Sequence, residues 1–186
     1  MSRQLAKRWI SVDEYEHMGK AGVFTPDERL ELLEGEIYEM SPIGSPHAAC
    51  VKYLNALLNR LFSGKMIVCI QDPIRLDDFS EPQPDIALVR WRDDFYKSSH
   101  PTPADVLLVI KVADSTVESD RSYKMPLYAK AGIPEVWLVN LADETIELYA
   151  EPDDGVYRIS KNFKRGEEAQ AHAVADLRVN VADILG

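Results

Sequence analysis

Along this 186-residue chain a handful of titratable side chains stand where charge is costly or where it could be put to use. Asp85 follows Pro84 and directly precedes the apolar run Ile86-Ala87-Leu88-Val89, so a carboxylate opens a strand of buried character. Such an acid is either a solvated strand terminus or a ligand held at a strand end. Lys111 lies inside VLLVIKVADST, with Val109 two residues before it on the same face and Ile110 and Val112 on either side. A lone buried ammonium costs several kcal/mol, so it must snorkel to water, lose its proton or meet a carboxylate. A neighbouring strand beginning at Asp85 is one source of that carboxylate. Lys124 lies one helical turn from both Asp120 and Tyr128, and the three share a stripe. On a solvated face its ion pair would contribute only about 0.3 kcal/mol. His47 falls in the first turn of a helix opened by Ser45-Pro46, where an imidazole is structural or exposed as readily as functional. His17, His100 and His172 have no partner pattern. The absence of HExxH, GxSxG, P-loop and GxGxxG sequences argues against zincin, serine-hydrolase, Walker-type and dinucleotide chemistry.

The elements that must position these groups follow from patterning. Ser11-Val12-Asp13-Glu14 matches a capping box and predicts a short helix to about Met18. Arg29–Leu33 and Glu36–Met40 flank Glu34-Gly35, a pair suited to a tight hairpin turn. From Ser45-Pro46 onward, Cys50, Leu54, Leu57, Leu58 and Leu61 recur at helical spacing until Gly64. Met66–Ile70, Ile86–Val89, Val106–Val112 and Val136–Val139 are short β-branched and apolar runs that predict strands. The third is apolar on both faces, as expected of a central strand covered by helices on both sides. After it, Ser115-Thr116-Val117-Glu118 matches a second capping box, opening a helix that ends near Gly132 and is kinked or restarted at Pro126. Glu144–Tyr157 reads as a peripheral hairpin or two short strands, and Arg92–Ala104 as the longest loop. The class is α/β.

Composition limits the functions available. With 46% hydrophobic residues and no compositional break, one domain spanning residues 1–186 is expected. The 21 Lys and Arg against 31 Asp and Glu give a net charge of −10, a field that repels phosphate polymers unless basic groups are gathered locally. A duplex-coating protein is thereby disfavoured. No run approaches the ~18 apolar residues of a membrane span, and the N-terminus has no apolar signal region, so a soluble, cytoplasmic protein is expected. Cys50 and Cys69 show no metal spacing and read as small core residues.

Five stretches carry a resemblance. ERLELLEGEIYEMSP, SPH opening a helix, QPDIALV, VLLVIKVADST and SDRSYKMPLYAKAGIPEVWLV, in that order from about Asp13 to Tyr149, resemble the Uma-two family of restriction endonucleases. That family is similar in fold to the PD-(D/E)XK nucleases, which implies a restriction-endonuclease-like mixed sheet flanked by helices, with a peripheral N-terminal β-hairpin. The resemblance implies hydrolysis of DNA phosphodiester bonds with Mg²⁺, or Mn²⁺ in its place. Asp85 would be the aspartate of the PD pair, Lys124 the lysine moved onto the following helix, Glu36 (or else Glu34) the hairpin acid, and His47 a further site position. Asp85 and Glu36 would be the metal ligands, since converging carboxylates hold Mg²⁺ and the ion lowers the pKa of an attacking water. Cutting two antiparallel strands would call for a homodimer with two dyad-related sites. Where the family has glutamate inside the central strand this chain has Lys111, a change of two charge units at a metal position. Three readings follow: a Mg²⁺-dependent DNA endonuclease; a nuclease fold without catalysis, its Lys111 ammonium in the cation site beside Asp85 and Glu36; and a dimeric module whose acidic surface serves a protein partner.

Overall fold

Short apolar runs separated by turn residues favour strands over independent helices, and here they assemble one mixed sheet. In the computed structural model, which describes residues 6–185, strands β3 (Met66–Ile70), β4 (Ile86–Arg90), β5 (Val106–Ala113), β6 (Glu135–Asn140), β7 (Thr145–Asp153) and β8 (Val156–Lys164) lie side by side in that order. Residues 1–5 and Gly186, part of the expected 1–186 domain, lie outside the described residues. All neighbours are antiparallel except β5 and β6, which are parallel and joined by a helical crossover. Helix α2 (Ser45–Phe62) buries Cys50, Val51, Leu54, Leu57, Leu58 and Phe62 against one face, among Ile86, Leu88, Ile110, Trp137 and Val139. Leu61, expected on that stripe, is 36% exposed, and Phe62 fills the place. The opposite face, carrying Ala87, Val89, Val109 and Val136, is covered by the crossover helix and touched by the N-terminal hairpin through Leu33.

The hairpin, β1 (Leu30–Leu33) and β2 (Glu36–Glu39), turns at Glu34 and Gly35, both at positive φ. A Cβ on Gly35 would stand 2.7 Å from the Cβ of Trp9, so turn geometry and close packing both require glycine there. Before it, α1 (Val12–Lys20) begins with the expected capping box: Ser11 Oγ accepts from the Glu14 amide and Glu14 accepts from the Ser11 amide. The hairpin pairs with the Glu81 segment through Leu32, whose amide and carbonyl both bond Glu81.

Two expectations are corrected. The second capping box does not form: the crossover begins with Thr116 as N-cap of a short helix, α3 (Val117–Ser119), without a side-chain cap, and Thr116 Oγ1 donates instead to Asp120. A π-helical turn, Asp120–Lys124, then leads into α4 (Met125–Lys130), with Pro126 in its first turn. The hairpin expected at Glu144–Tyr157 forms at the edge of the main sheet, but it is longer than expected and is part of that sheet. Strands β7 and β8 are nine residues each within the main sheet, and Ile146, Leu148 and Ala150 belong to its core. Two short strands, β9 (Glu168–Gln170) and β10 (Arg178–Asn180), and α5 (Val181–Leu185) complete that core. Among the described residues no helix is long and apolar enough to cross a membrane. Cys50 and Cys69 are buried and free.

Candidate functional site

Register brings the first two residues together. Ile86 on β4 faces Ile110 on β5, and one further step of this antiparallel pairing sets Asp85 opposite Lys111. Both point to the face that carries Ala87 and Val109, because side chains alternate along a strand. Lys111 Nζ lies 2.7 Å from Asp85 Oδ2, with Lys111 6% and Asp85 2% exposed. The Val112 amide donates to the same oxygen at 2.8 Å. His47, in the first turn of α2, places Nε2 3.0 Å from Asp85 Oδ1. Both carboxylate oxygens are therefore occupied. Burial alone would push the Asp85 carboxyl up, but the Lys111 charge, with hydrogen bonds from His47, Lys111 and Val112, holds it well below the usual carboxylate range. Burial works against the Lys111 ammonium as well. The charge of Asp85 beside it, helped by Asp120 and Glu31, nevertheless raises its pKa, and Lys111 stays charged.

A second ion-pair group forms where the hairpin meets the crossover. Lys124 Nζ lies 2.7 Å from Glu31 Oε1 and 3.6 Å from Asp120 Oδ1, and Glu31 Oε2 accepts from the Gln83 amide. Glu31 and Asp120 are buried. The π-helical turn places Asp120 and Lys124 on the same side, and Arg121 on its other side holds the turn to the sheet by donating to Glu147, Nε to Oε2 at 2.9 Å. Tyr128, a turn beyond Lys124, is fully buried, and its hydroxyl has no protein hydrogen-bond partner. Burial, then the charges of Glu31, Asp120 and Asp85, raise its pKa well above the ordinary phenol value.

His47, Asp85 and Lys111 from the first group and Glu31, Asp120 and Lys124 from the second line one cavity of about 430 Å³. Of the residues singled out in the sequence, Asp85, Lys111, Lys124 and His47 meet there. Glu36 does not line it: that side chain pairs with Lys7 at the surface and accepts from Tyr38 OH at 2.8 Å. Glu34 is exposed at the turn, 3.5 Å from Lys130 Nζ. Two other hairpin acids line the cavity, Glu31 buried and Glu39 exposed, and Asp120 joins Asp85 and Glu31 as a third buried carboxylate there. The signal for Glu31 was its place between Leu30 and Leu32 in a strand with both faces covered, where an acid needs a buried partner. At the cavity mouth Tyr38 and Tyr123 meet, hydroxyl to hydroxyl at 3.0 Å.

A mixed sheet with one parallel crossover, and a pocket of acids and lysines at the strand ends beside it, defines a nuclease-like α/β domain. The chain belongs to the Uma2 family, described as "Putative restriction endonuclease", whose model matches residues 12–182. Among solved structures it is similar to a putative nuclease belonging to DUF820 from Anabaena variabilis. The TM-score is 0.75 at 15% identity, over 95% of this chain and 97% of that one. At that identity the likeness speaks to the fold. No curated protein matches.

Nucleases of this fold class typically use a divalent cation held by carboxylate oxygens. The residues present do not fit one. Asp85 is matched by Lys111 and the Val112 amide at Oδ2 and by His47 at Oδ1, Glu31 by Lys124 and Gln83, and Asp120 by Lys124 and Thr116. Among the described residues no three His, Cys, Asp or Glu side chains are gathered to hold a metal. Lys111 supplies the positive charge at Asp85 itself, and Lys124 supplies it at the other two acids.

Proposed function

We propose that this pocket binds the phosphodiester backbone of DNA, and that the Lys111 ammonium takes the place of the metal, so the chain recognises the backbone without Mg²⁺-dependent hydrolysis. The observation that carries this reading is Lys111 Nζ at 2.7 Å from Asp85 Oδ2, with both groups buried. An ammonium has three N–H donors, and Lys111 spends one on Asp85 and lines the pocket with the capacity left over. It neutralises a phosphate oxygen but brings no bound water whose pKa is lowered. Membership of the family supports nucleic acid as the ligand. The test pairs two measurements: binding of fluorescent DNA in a chelator at low salt, where backbone contacts are strongest, and nicking of supercoiled plasmid with Mg²⁺ or Mn²⁺. Binding without nicking is expected. For Lys111→Glu, calorimetry should show Mn²⁺ binding that the wild type lacks; if the affinity for Mn²⁺ does not rise, Lys111 is not what stands in the metal's place.

A second reading, the Mg²⁺-dependent DNA endonuclease implied by the family, requires that Glu31, Asp85 and Asp120, the three buried carboxylates lining the cavity, exchange Lys111 and Lys124 for a metal when substrate binds. Metal-dependent nicking by the wild-type chain, abolished by Asp85→Asn, would select it.

A further inference from the structure

The outer half of the pocket is built differently from its floor. We infer that it takes an unpaired nucleotide, and that the protein prefers single-stranded nucleic acid to duplex, the base stacking on Tyr123 while the phosphate meets Lys111 and Lys124. The inference rests on the nucleic-acid reading above and specifies its substrate class.

Depth is the first argument. Lys111 is 6% exposed at the bottom of a cavity of about 430 Å³, a size that suits a small ligand more than a flat or grooved surface. A duplex keeps its bases stacked inside and offers a convex backbone. An ammonium at a cavity floor is reached more readily by a nucleotide that has left the stack.

The rim supplies the second. Tyr123 is 46% exposed, yet its position is fixed: its hydroxyl bonds Tyr38 OH at 3.0 Å, the two rings stand 5.7 Å apart, and Tyr38 is anchored in turn on Glu36. A held, exposed aromatic ring offers the stacking platform on which single strands are bound whatever their base, and below it the ammonium groups of Lys111 and Lys124, each paired with buried carboxylates, keep N–H donors for a phosphate oxygen. Ile43, 42% exposed, adds apolar surface to the same rim.

Charge is the third. Glu39 and Asp114 line the pocket as exposed carboxylates that carry no ion-pair partner among the described residues. They oppose a duplex, which brings about one negative charge per 1.7 Å of axis, more than they oppose a single strand. Carboxylates also accept hydrogen bonds from the exocyclic amino group of cytosine, which an unpaired base leaves available.

The experiment measures fluorescence anisotropy in a chelator at low salt, with a mixed-sequence 12-nucleotide DNA offered as a single strand and as a duplex. The single strand should bind at least tenfold more tightly. Tyr123→Ala should weaken single-strand binding by roughly tenfold, and Tyr123→Phe should recover part of that loss, because it keeps the stacking ring and gives up only the hydroxyl bond to Tyr38 that holds it in place. Equal or tighter duplex binding, or an alanine variant that binds the single strand as well as the wild type, overturns this inference and leaves the nucleic-acid reading standing. Binding of neither DNA overturns both. Tyr123 is exposed, and an unchanged melting temperature for the alanine variant separates lost stacking from lost fold.

Discussion

An ammonium inside a central strand survives only with its counter-charge, and Lys111 shows how demanding that condition is. Lys111→Met would leave the buried Asp85 carboxylate with His47 and a backbone amide alone, and should cost about 3–5 kcal/mol in urea denaturation. Replacing both partners, as Asp85→Asn with Lys111→Met, should cost much less. The pH dependence has two arms. Asp85 has a depressed pKa, so its contribution is present above the unfolded value of about 3.9 and lost as pH falls through the folded one. Lys111 has a raised pKa, so its contribution is present below about 10.4 and lost as pH climbs through its folded value. The stability difference between wild type and double variant should be flat through neutrality and shrink at both extremes. Tyr128 makes a separate prediction: its buried hydroxyl has no protein partner, so Tyr128→Phe should raise stability by about 1 kcal/mol, and a loss on the same scale would show that the hydroxyl is bonded after all. The need of Lys111 for a carboxylate could be read from alternation alone, and Asp85 was the acid at hand. Glu31 was hidden among five glutamates between Glu28 and Glu39, because what buries it is the pairing of Leu32 with Glu81, far away in sequence.

Among the elements, strands and α2 were legible because burial periodicity sets them locally, whereas the crossover was not. Its apparent capping box at Ser115 loses to Thr116, whose hydroxyl bonds Asp120, and Pro126 lacks the amide an uninterrupted helix would need. The chain resolves this with a π-helical turn, a feature no hydrophobic pattern announces. That turn brings Asp120 and Lys124 to the cavity, and the contact of Arg121 with Glu147 braces it. Tyr149 OH donates to Glu147 as well, at 2.6 Å, so the acceptor is itself fixed. Arg121→Ala should therefore loosen the crossover ahead of the sheet. In hydrogen exchange, amides of residues 120–130 should exchange faster while β5 and β6 keep their protection, with an overall cost of about 2 kcal/mol. Uniform acceleration across the sheet would show that Arg121 supports the whole core and not the turn.

For the molecule as a whole, the net charge of −10 and the nuclease-like pocket pull in opposite directions, and salt dependence can tell which governs binding. An acidic protein that coated DNA would need many local cations. The cavity offers three, Arg29, Lys111 and Lys124, and the last two are largely buried. If binding is confined to this pocket, few counterions are released from the nucleic acid. For a single strand the slope of log affinity against log salt should then be about −2. Measured by anisotropy between low and physiological salt, a slope of that size supports one nucleotide-scale site. A slope twice as steep would move binding to another, more basic surface. Stoichiometry bears on the same point: a duplex cut on both strands calls for two dyad-related sites, whereas a single strand in one pocket asks only for a 1:1 complex. A shallow slope with one strand per chain would thus be the signature of a nuclease fold that keeps its backbone recognition and has put lysine where a metal ligand is expected.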